Sequence, residues 1–366
     1  MVKEKEFIPA LTGIRAVCAY CIFFYHLNFF SSQTEQNAFI ILNQFYTFLT
    51  FFFVLSGFII CHKYYEISSL KKKYLYNYFV SRVARVFPIL FILISITFFL
   101  QFIYKTDALP HLFKSYFYNI SLLKGFSSDY KLTGIGPSWS MSVEELFYLL
   151  SPIIFSLTLR ISSLLKYIFL VYGLGVLITF IFSKFNLDGF FSNYMFTFYF
   201  TFFGRAFEFA CGIFLALIIR GRFEAGLLGK AGKASMYIGL LIIFICILSL
   251  YLIAHAYHQQ HANDTWPGLI VNNIIMPIGI SFLFYHLIYF KSLLQRFLAG
   301  PIMVALGSAT YSFYLLHTSF MLTWIQKFIS HNILVTFISM IVVSFCFYKI
   351  VEQPLAKIIR RKFFLH

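Results

Sequence analysis

The sequence predicts an all-α membrane protein, a polytopic bundle of about ten transmembrane helices with both termini in the cytoplasm. The 366 residues are 60% hydrophobic and only 11% charged, whereas about 25% of the residues of a soluble domain are charged. Apolar runs of about 20 residues, the length that crosses a bilayer as a helix, recur along the whole chain. Lys and Arg gather in alternate connectors, which the positive-inside rule assigns to the cytoplasm.

Ten apolar runs account for nearly all of the chain. They lie at residues 9–30, 38–61, 83–104, 142–159, 164–182, 194–219, 235–254, 268–288, 302–326 and 331–350. The basic connectors alternate with poorly charged ones across all ten runs, so the net charge of +16 reflects membrane topology. Nucleic acid is therefore not expected as a partner, and the lipid bilayer is.

No connector is long enough to form a soluble catalytic domain. The longest outer loop runs from about residue 105 to 141, so we expect a single transmembrane domain over 1–366 with no appended soluble domain. Cys18 and Cys21 form a C-x-x-C, but no second pair follows at zinc spacing. We expect the cysteines to be packing residues and expect no metal site. Any chemistry must then lie within the bundle or at its edge.

The first run carries two ionisable residues on one helical face. Arg15 and His26 are 11 residues apart, which in an α-helix is three turns plus about 20°, with a rise of roughly 16 Å. Between them on that face lie Cys18, Ala19 and Ile22. Ionisable groups within a membrane are candidates for function. Taken alone, the arginine also fits an interfacial anchor and the histidine an interhelical hydrogen bond.

The segment "SRVARVFP" places Arg82 and Arg85 at the predicted cytoplasmic start of the third run. The spacing i, i+3 puts both on one helix face, and guanidinium groups match the geometry of phosphate oxygens. A basic pair at a cytoplasmic helix end is also what topology alone would produce.

The segment "GPSWSMSVEELFYLLSP" enters the fourth run from the outer side. Ser142 and Glu145 fit a capping box, which gives both a structural explanation. Glu144 is then left within a turn of the outer membrane face, at about the predicted depth of His26, where a carboxylate could orient an imidazole. The alternative is a solvated carboxylate favoured by the helix dipole.

Other polar residues favour structural roles. Arg205 and Glu208, at i, i+3 within the sixth run, are predicted to form a buried ion pair, and His317 is predicted to be a packing histidine. Three histidines that crowd one outer loop are predicted to be solvated rather than metal ligands: His255, His258 and His261.

In this order, the segments resemble the membrane-bound acyltransferase family 3, which includes bacterial enzymes that O-acylate cell-surface sugars. "IPALTGIRAVCAYCIFFYHL" is similar to the family's opening block, whose arginine and histidine are separated by ten residues, and "FFFVLSGFII" to its second. "SRVARVFP", "PSWSMSVEELFYLLSP", "GRAFEFACGIFLAL" and "LGSATYSFYLLHTSF" resemble the later blocks. The chain departs from the family at Thr12, where Asp is common, at Ala16, where Gly is common, and at Gln353, where Arg is usual.

The resemblance implies an O-acyltransferase, acting as an O-acetyltransferase, in the bacterial cytoplasmic (inner) membrane. The donor would be cytoplasmic acyl-CoA, with acetyl-CoA favoured by the small residues of the first helix. The acceptor would be a hydroxyl of a lipid-linked or polymerised glycan at the outer face, such as lipopolysaccharide O-antigen or an exopolysaccharide.

The resemblance also implies site residues. Arg15 would hold the CoA phosphates, and so would the pair Arg82 and Arg85. The thioester would then lie near His26, acting as general base or as acyl carrier.

The remaining site residues belong to the fourth run. Glu144 would orient the histidine or contact the sugar. Trp139 would stack on a sugar ring or anchor the helix at the interface. Ser142 would contact the substrate.

A transporter or flippase for a glycolipid or polysaccharide, without acyl-transfer chemistry, is the alternative from another functional class. Many spans and intramembrane charges fit it equally well. Transporters often contain internal repeats with broken helices, and we find no repeat in the sequence.

Overall fold

The computed structural model describes residues 7–27, 42–65, 72–157, 161–185 and 187–364. Over these residues the chain is almost entirely helical, and its extended structure is limited to one isolated bridge, between Ser127 and Phe190. Eight helical segments in the described ranges are long and apolar enough to cross a membrane. The chain is thus a multi-pass membrane protein, as its composition predicts.

The helices are labelled in chain order. They are α1 (Pro9–His26), α2 (Leu49–Tyr64), α3 (Lys72–Tyr104), α4 (Leu109–Ile120), α5 (Trp139–Leu157), α6 (Ile161–Phe182), α7 (Tyr194–Phe200), α8 (Phe202–Ile219), α9 (Gly226–Ala231), α10 (Ser235–Ala256), α11 (Trp266–Ile270), α12 (Met276–Tyr289), α13 (Leu293–Leu298), α14 (Pro301–Ser308), α15 (Thr310–Leu316), α16 (Phe320–Phe328), α17 (Ile333–Phe347) and α18 (Gln353–Phe363).

The expected ten spans differ from the eight candidate spans at two places. The first run ends as a helix at His26, and the rest of that run and the start of the second, within 28–41, lie outside the described residues. The run 302–326 is not one helix, since α14, α15 and α16 divide it. Apolar composition alone cannot reveal such breaks. The cytoplasmic placement of both termini stays a prediction.

The chain folds into two compact units. The first unit contains residues 1–65, 153–175 and 203–308, and the second contains 66–152, 176–202 and 309–366. Three of the chain's passages between the units fall within helices: in α5 after Pro152, in α6 after Gly175, and in α8 after its first residue, Phe202.

Small residues allow close helix crossings in the first unit. A Cβ added to Gly13 of α1 would lie 2.0 Å from the carbonyl oxygen of Leu298, and one added to Gly57 of α2 would lie 2.3 Å from that of Phe209. Both positions accept only glycine, because backbone fills the space of a side chain. Helix α1 is thereby held against α13, and α2 against α8.

In the second unit, α3 is a 33-residue helix that contains Pro88 and packs against α4, α15 and α18. The hydroxyl of Tyr78 donates to the carbonyl oxygen of Tyr148 at 2.8 Å, and the hydroxyl of Tyr311 donates to that of Val86 at 2.7 Å. These bonds tie α3 to α5 and to α15, which positions the polar groups described below.

Two helices contain π-helical turns. Val271–Ile275 lies between α11 and α12, and Tyr348–Glu352 lies between α17 and α18. Consecutive residues Asn272 and Asn273 are both buried in the first of these turns. The widened turn carries both amides, and Nδ2 of Asn272 donates to Oδ1 of Asn273 at 2.8 Å.

Candidate active site

Helix α1 is unbroken from Pro9 to His26. The side chains between its two ionisable residues on the predicted face, Cys18, Ala19 and Ile22, are at most 3% exposed. Arg15 and His26 are half-buried. The continuous helix therefore keeps the arginine and the histidine on one side, roughly 16 Å apart along the axis.

The end of α1 is joined to a connector between two candidate spans. The Tyr25 hydroxyl lies 2.9 Å from Nε2 of His261, and Nδ1 of His261 lies 3.7 Å from Oδ2 of Asp264. The prediction that His261 is a solvated loop residue is therefore wrong, because its ring is held between a phenol and a carboxylate. His255 and His258 of the same connector are exposed.

Two buried side chains of the first unit fix that connector. Gln44 donates from Nε2 to the carbonyl oxygen of Gln260 at 3.2 Å, and its Oε1 accepts from the backbone N–H of Ala262 at 3.3 Å. The hydroxyl of Tyr46 accepts from the backbone N–H of Asn263 at 3.1 Å. The segment 260–263 is thus held to the residues before α2, 216 or more positions earlier in the chain.

Arg205 and Glu208 form the ion pair that the sequence predicts, at 2.9 Å and with side chains at most 1% exposed. The same guanidinium nitrogen donates to Oδ1 of Asn273 at 2.7 Å. Thr50 donates to Glu208 at 2.9 Å and lies 3.1 Å from Oδ1 of Asn272. We call these five residues the core network. Its polar atoms mostly bond to one another, which is typical of a structural role.

The second unit brings the arginine pair of α3 and the glutamates of α5 together. The Arg82 guanidinium carbon lies 5.5 Å from the centre of the Tyr148 ring, and the Tyr148 hydroxyl donates to Oε2 of Glu144 at 2.9 Å. Arg82 is 6% exposed, whereas Arg85 and Glu144 are half-buried. We call these residues, with Glu145, the arginine–glutamate cluster.

This arrangement differs from the sequence prediction, which put the arginines and Glu144 at opposite membrane faces. The predicted third run began at residue 83, but α3 begins at Lys72. Arg82 is therefore ten residues, about 15 Å, inside the helix. The polar sequence before residue 83 thus belongs to about three further turns of α3, which the predicted apolar run did not include.

The predicted capping box at Ser142 and Glu145 is wrong, because α5 begins three residues earlier, at Trp139. The Ser142 hydroxyl instead accepts from the backbone N–H of Gly125 at 3.3 Å. Glu145 lies within electrostatic range of both arginines of the cluster. Its buried Oε1 has no hydrogen-bond partner in the described part of the chain.

Two further predicted site residues are packed into the second unit. Trp139 is 8% exposed and lies edge-on to Phe200, with ring centres 4.8 Å apart. Ser142 is 2% exposed. The structure thus places both in the packed start of α5. Their roles as substrate contacts stay predictions, as does any contact between Glu144 and His26, which belong to different units.

Sequence reasoning missed Lys124, a fully buried lysine just before α5. Its ammonium has four acceptors, namely Oδ1 of Asn119, the carbonyl oxygens of Thr133 and Ile135, and the hydroxyl of Ser138, at 2.6–3.1 Å. Burial lowers the pKa of Lys124 to about 7. In the sequence, Lys124 looks like any basic residue of an outer loop. Three of its four partners lie in an irregular segment, so no periodic pattern indicates that they contact it.

Within the described ranges, no three His, Cys, Asp or Glu side chains are arranged to hold a metal ion. Among the arginines singled out from the sequence, Arg15 in the first unit and Arg85 in the second are half-buried.

Comparisons with known proteins give a consistent result. A family model described as "Acyltransferase domain" matches residues 8–349. A "Putative O-acetyltransferase" of Staphylococcus aureus (strain COL) is 24% identical over 336 residues, which is 86% of this chain and 51% of the relative. "Peptidoglycan O-acetyltransferase OatA" of Listeria monocytogenes serovar 1/2a (strain ATCC BAA-679 / EGD-e) is 26% identical over 194 residues, 48% of this chain and 28% of the relative.

The chain spans about half the length of the first of these relatives. No solved structure matches it significantly.

Proposed function

Because the chain belongs to the acyltransferase family whose model matches residues 8–349, we propose that it is an O-acetyltransferase. The acetyl group would move to a hydroxyl oxygen. Both relatives described above are named as O-acetyltransferases, which supports this choice of acyl group and of acceptor atom.

The donor in this proposal is cytoplasmic acetyl-CoA, and the acceptor is a glycan of the bacterial cell envelope at the outer face of the cytoplasmic membrane. One relative is named for peptidoglycan, which supports an envelope glycan. The eight apolar segments support a site within the bilayer, where a donor on one side can meet an acceptor on the other.

The observation that carries the proposal is the unbroken α1 with half-buried Arg15 and His26 on one face. An extended pantetheine arm is comparable in length to the rise of roughly 16 Å between them. His26 would accept the proton of the acceptor hydroxyl. The oxygen would attack the thioester carbonyl, the carbon–sulfur bond would break, and the thiolate would leave and take up a proton.

Arginine side chains would hold the nucleotide end of the donor. Arg15 and Arg85 are half-buried, so each can contact a phosphate directly. Arg82 is buried over Tyr148, and we assign it the task of holding the arginine–glutamate cluster in place. Glu144, fixed by the Tyr148 hydroxyl, is the proposed carboxylate for the acceptor or for His26.

Trp139 and Ser142 receive a different assignment from the one their sequence positions suggested. Because both are buried at the start of α5, we propose that they fix that helix end rather than contact the sugar.

The test supplies isotope-labelled acetyl-CoA to membranes that contain the protein and measures label in the glycan by mass spectrometry. His26→Ala is expected to lower the transfer rate about 100-fold or more. His255→Ala, at an exposed position, is the matched control and should transfer at the normal rate. Full transfer by His26→Ala would remove the catalytic assignment, and no label with any variant would remove the enzyme assignment.

A glycolipid transporter is the second candidate, and the break of the run 302–326 into α14, α15 and α16 favours it, because transporters use discontinuous helices. Vesicles that contain the protein and a fluorescent lipid-linked glycan distinguish the two. Movement of the glycan across the bilayer without acetyl-CoA would support transport, whereas acetylation without movement would support the enzyme.

A further inference from the structure

We propose that Tyr25, His261 and Asp264 form a chain of polar contacts, one hydrogen bond and one ion-pair contact, that positions the His26 imidazole for acyl transfer. The proposal rests on the function proposed above, in which His26 is the base. Tyr25 and His26 are consecutive in the last turn of α1, and their ring centres are 4.5 Å apart with planes at 53°. The tyrosine ring is therefore one wall of the space in which the imidazole can rotate.

The donors and acceptors of the chain can be assigned from its geometry. Nδ1 of His261 faces the Asp264 carboxylate at 3.7 Å, so the ring proton belongs on Nδ1. Nε2 is then the acceptor for the Tyr25 hydroxyl, which donates across 2.9 Å. The hydroxyl at the far end of the Tyr25 ring is therefore fixed by its hydrogen bond to His261.

The connector that supplies the two residues is itself fixed. Gln44 and Tyr46 are at most 8% exposed and bond to the backbone of 260–263. The Tyr46 ring also lies against both Tyr25 and His261, with ring centres 5.8 and 5.4 Å away. His261 has a hydrogen bond on one side, a carboxylate at 3.7 Å on the other and two rings packed against it, unlike the exposed His255.

Limiting the orientations of the His26 imidazole affects the rate of the proposed reaction. A base must lie within hydrogen-bond reach of the hydroxyl that it deprotonates, and small misplacements cost rate without weakening substrate binding. The fixed Tyr25 ring limits the imidazole to few orientations. The Asp264 carboxylate, reached through His261, adds negative charge on the side where the imidazolium forms during transfer.

Kinetics of purified protein in lipid vesicles test the chain. Tyr25→Phe and His261→Ala each remove one hydrogen bond, and we expect kcat to fall about tenfold while the KM for acetyl-CoA stays within about twofold. His261→Gln retains an acceptor for the phenol and should restore most of kcat. His255→Ala is the matched control and should equal the unmodified protein.

A second measurement does not depend on activity. Nitrogen-15 spectra of histidine-labelled protein report the His26 ring directly, with its signal assigned by its loss in His26→Ala. We expect this signal to move in Tyr25→Phe and in His261→Ala but not in His255→Ala.

The two measurements separate the possible failures. An unmoved His26 signal in Tyr25→Phe and His261→Ala overturns the positioning chain, whether or not the protein transfers acetyl. Unchanged kcat in both variants, with His26→Ala inactive, overturns it while the proposed function stands. A moved signal in a protein that transfers no acetyl group sustains the contact but overturns its role in catalysis, together with the proposed function.

Discussion

The core network of the first unit and the arginine–glutamate cluster of the second accommodate buried charge differently. Arg205 is 1% exposed, and one of its nitrogens bonds both to Glu208 and to Asn273. Amide and hydroxyl groups surround this pair of one cation and one carboxylate, and Oε2 of Glu208 has no hydrogen-bond partner among the described residues. Such an arrangement serves the fold, because its charges are largely paired internally.

The cluster has two arginines and two glutamates, and Glu145 lies within electrostatic range of both arginines. Arg82 lies over the Tyr148 ring, and the buried Oε1 of Glu145 has no hydrogen-bond partner among the described residues. Arg85 and Glu144 are partly open to solvent. The two regions differ in exposure: charges that are buried on all sides serve the fold, whereas the partly exposed charges of the cluster are also accessible to a ligand.

The largest expected effect is on the core network. Arg205→Ala leaves the Glu208 carboxylate buried without its cation, so we expect the free energy of unfolding to fall by about 3–5 kcal/mol. Denaturation of the detergent-solubilised protein measures it.

The double variant Arg205→Met with Glu208→Gln is the control for that change. It removes both charges and should lose less than half as much stability. Equal losses would mean that the pair acts through packing rather than charge.

Lys124 extends the comparison to a buried cation whose partners are all neutral. Its folded-state pKa of about 7 lies below the unfolded value of about 10.4, so the unfolded chain binds more protons between these values. The free energy of unfolding should therefore rise with pH between about 7 and 10.4. As the pH falls to about 7, this gain in stability is lost.

Lys124→Met removes the titrating group while keeping its length. The pH dependence of its unfolding should be weaker than that of the unmodified protein by roughly 2 kcal/mol between pH 7.5 and 9. If the free energy of unfolding depends on pH equally in both proteins, the Lys124 ammonium stays charged in the folded protein and its four acceptors stabilise that charge.

Arg85→Ala should show the opposite pattern to Arg205→Ala. We expect the KM for acetyl-CoA to rise about tenfold, equivalent to about 1.4 kcal/mol, with unfolding changed by less than about 1 kcal/mol. Arg85→Lys, which keeps the charge but not the planar fork, should recover part of the affinity. If Arg85→Ala unfolds as easily as Arg205→Ala, the distinction between the two regions is lost.

The smallest effect is expected for Tyr148→Phe, which deletes the hydroxyl that donates to Glu144. Because Glu144 is half-buried and can recover a bond to water, stability should fall by only about 1 kcal/mol. The rate of acetyl transfer should fall by more than this change in folding explains. Tyr167→Phe, which loses a buried hydroxyl elsewhere, is a matched control and should leave the rate unchanged.

The fold class could be predicted because hydrophobic composition constrains the whole chain, and the family resemblance is confirmed by the match over residues 8–349. The buried pair Arg205 and Glu208 could also be predicted, since two opposite charges at i, i+3 in an apolar run have few other partners. The division of the run 302–326 could not be predicted, because a break such as that between α14 and α16 depends on packing. The count of ten spans stays a prediction.

Contacts between distant parts of the chain also could not be predicted from the sequence. Tyr25 and His261 are 236 positions apart, and no local pattern pairs a tyrosine with a loop histidine. Lys124 mostly bonds to oxygens of an irregular segment. Such a segment has no helical or strand periodicity from which the contact could be predicted. The assigned roles of Arg15, His26 and Glu144 depend on substrates and stay predictions.

The widened turn at Val271–Ile275 limits which mutations this part of the chain can accept. Such a turn is equivalent to one residue inserted into a regular helix, so the stretches before and after it follow separate angular registers. Shortening the turn by one codon would restore uniform winding while rotating Asn272 or Asn273 toward lipid. Because Asn272 and Asn273 both belong to the core network, the chain is expected to tolerate neither their replacement nor a change of length in this turn.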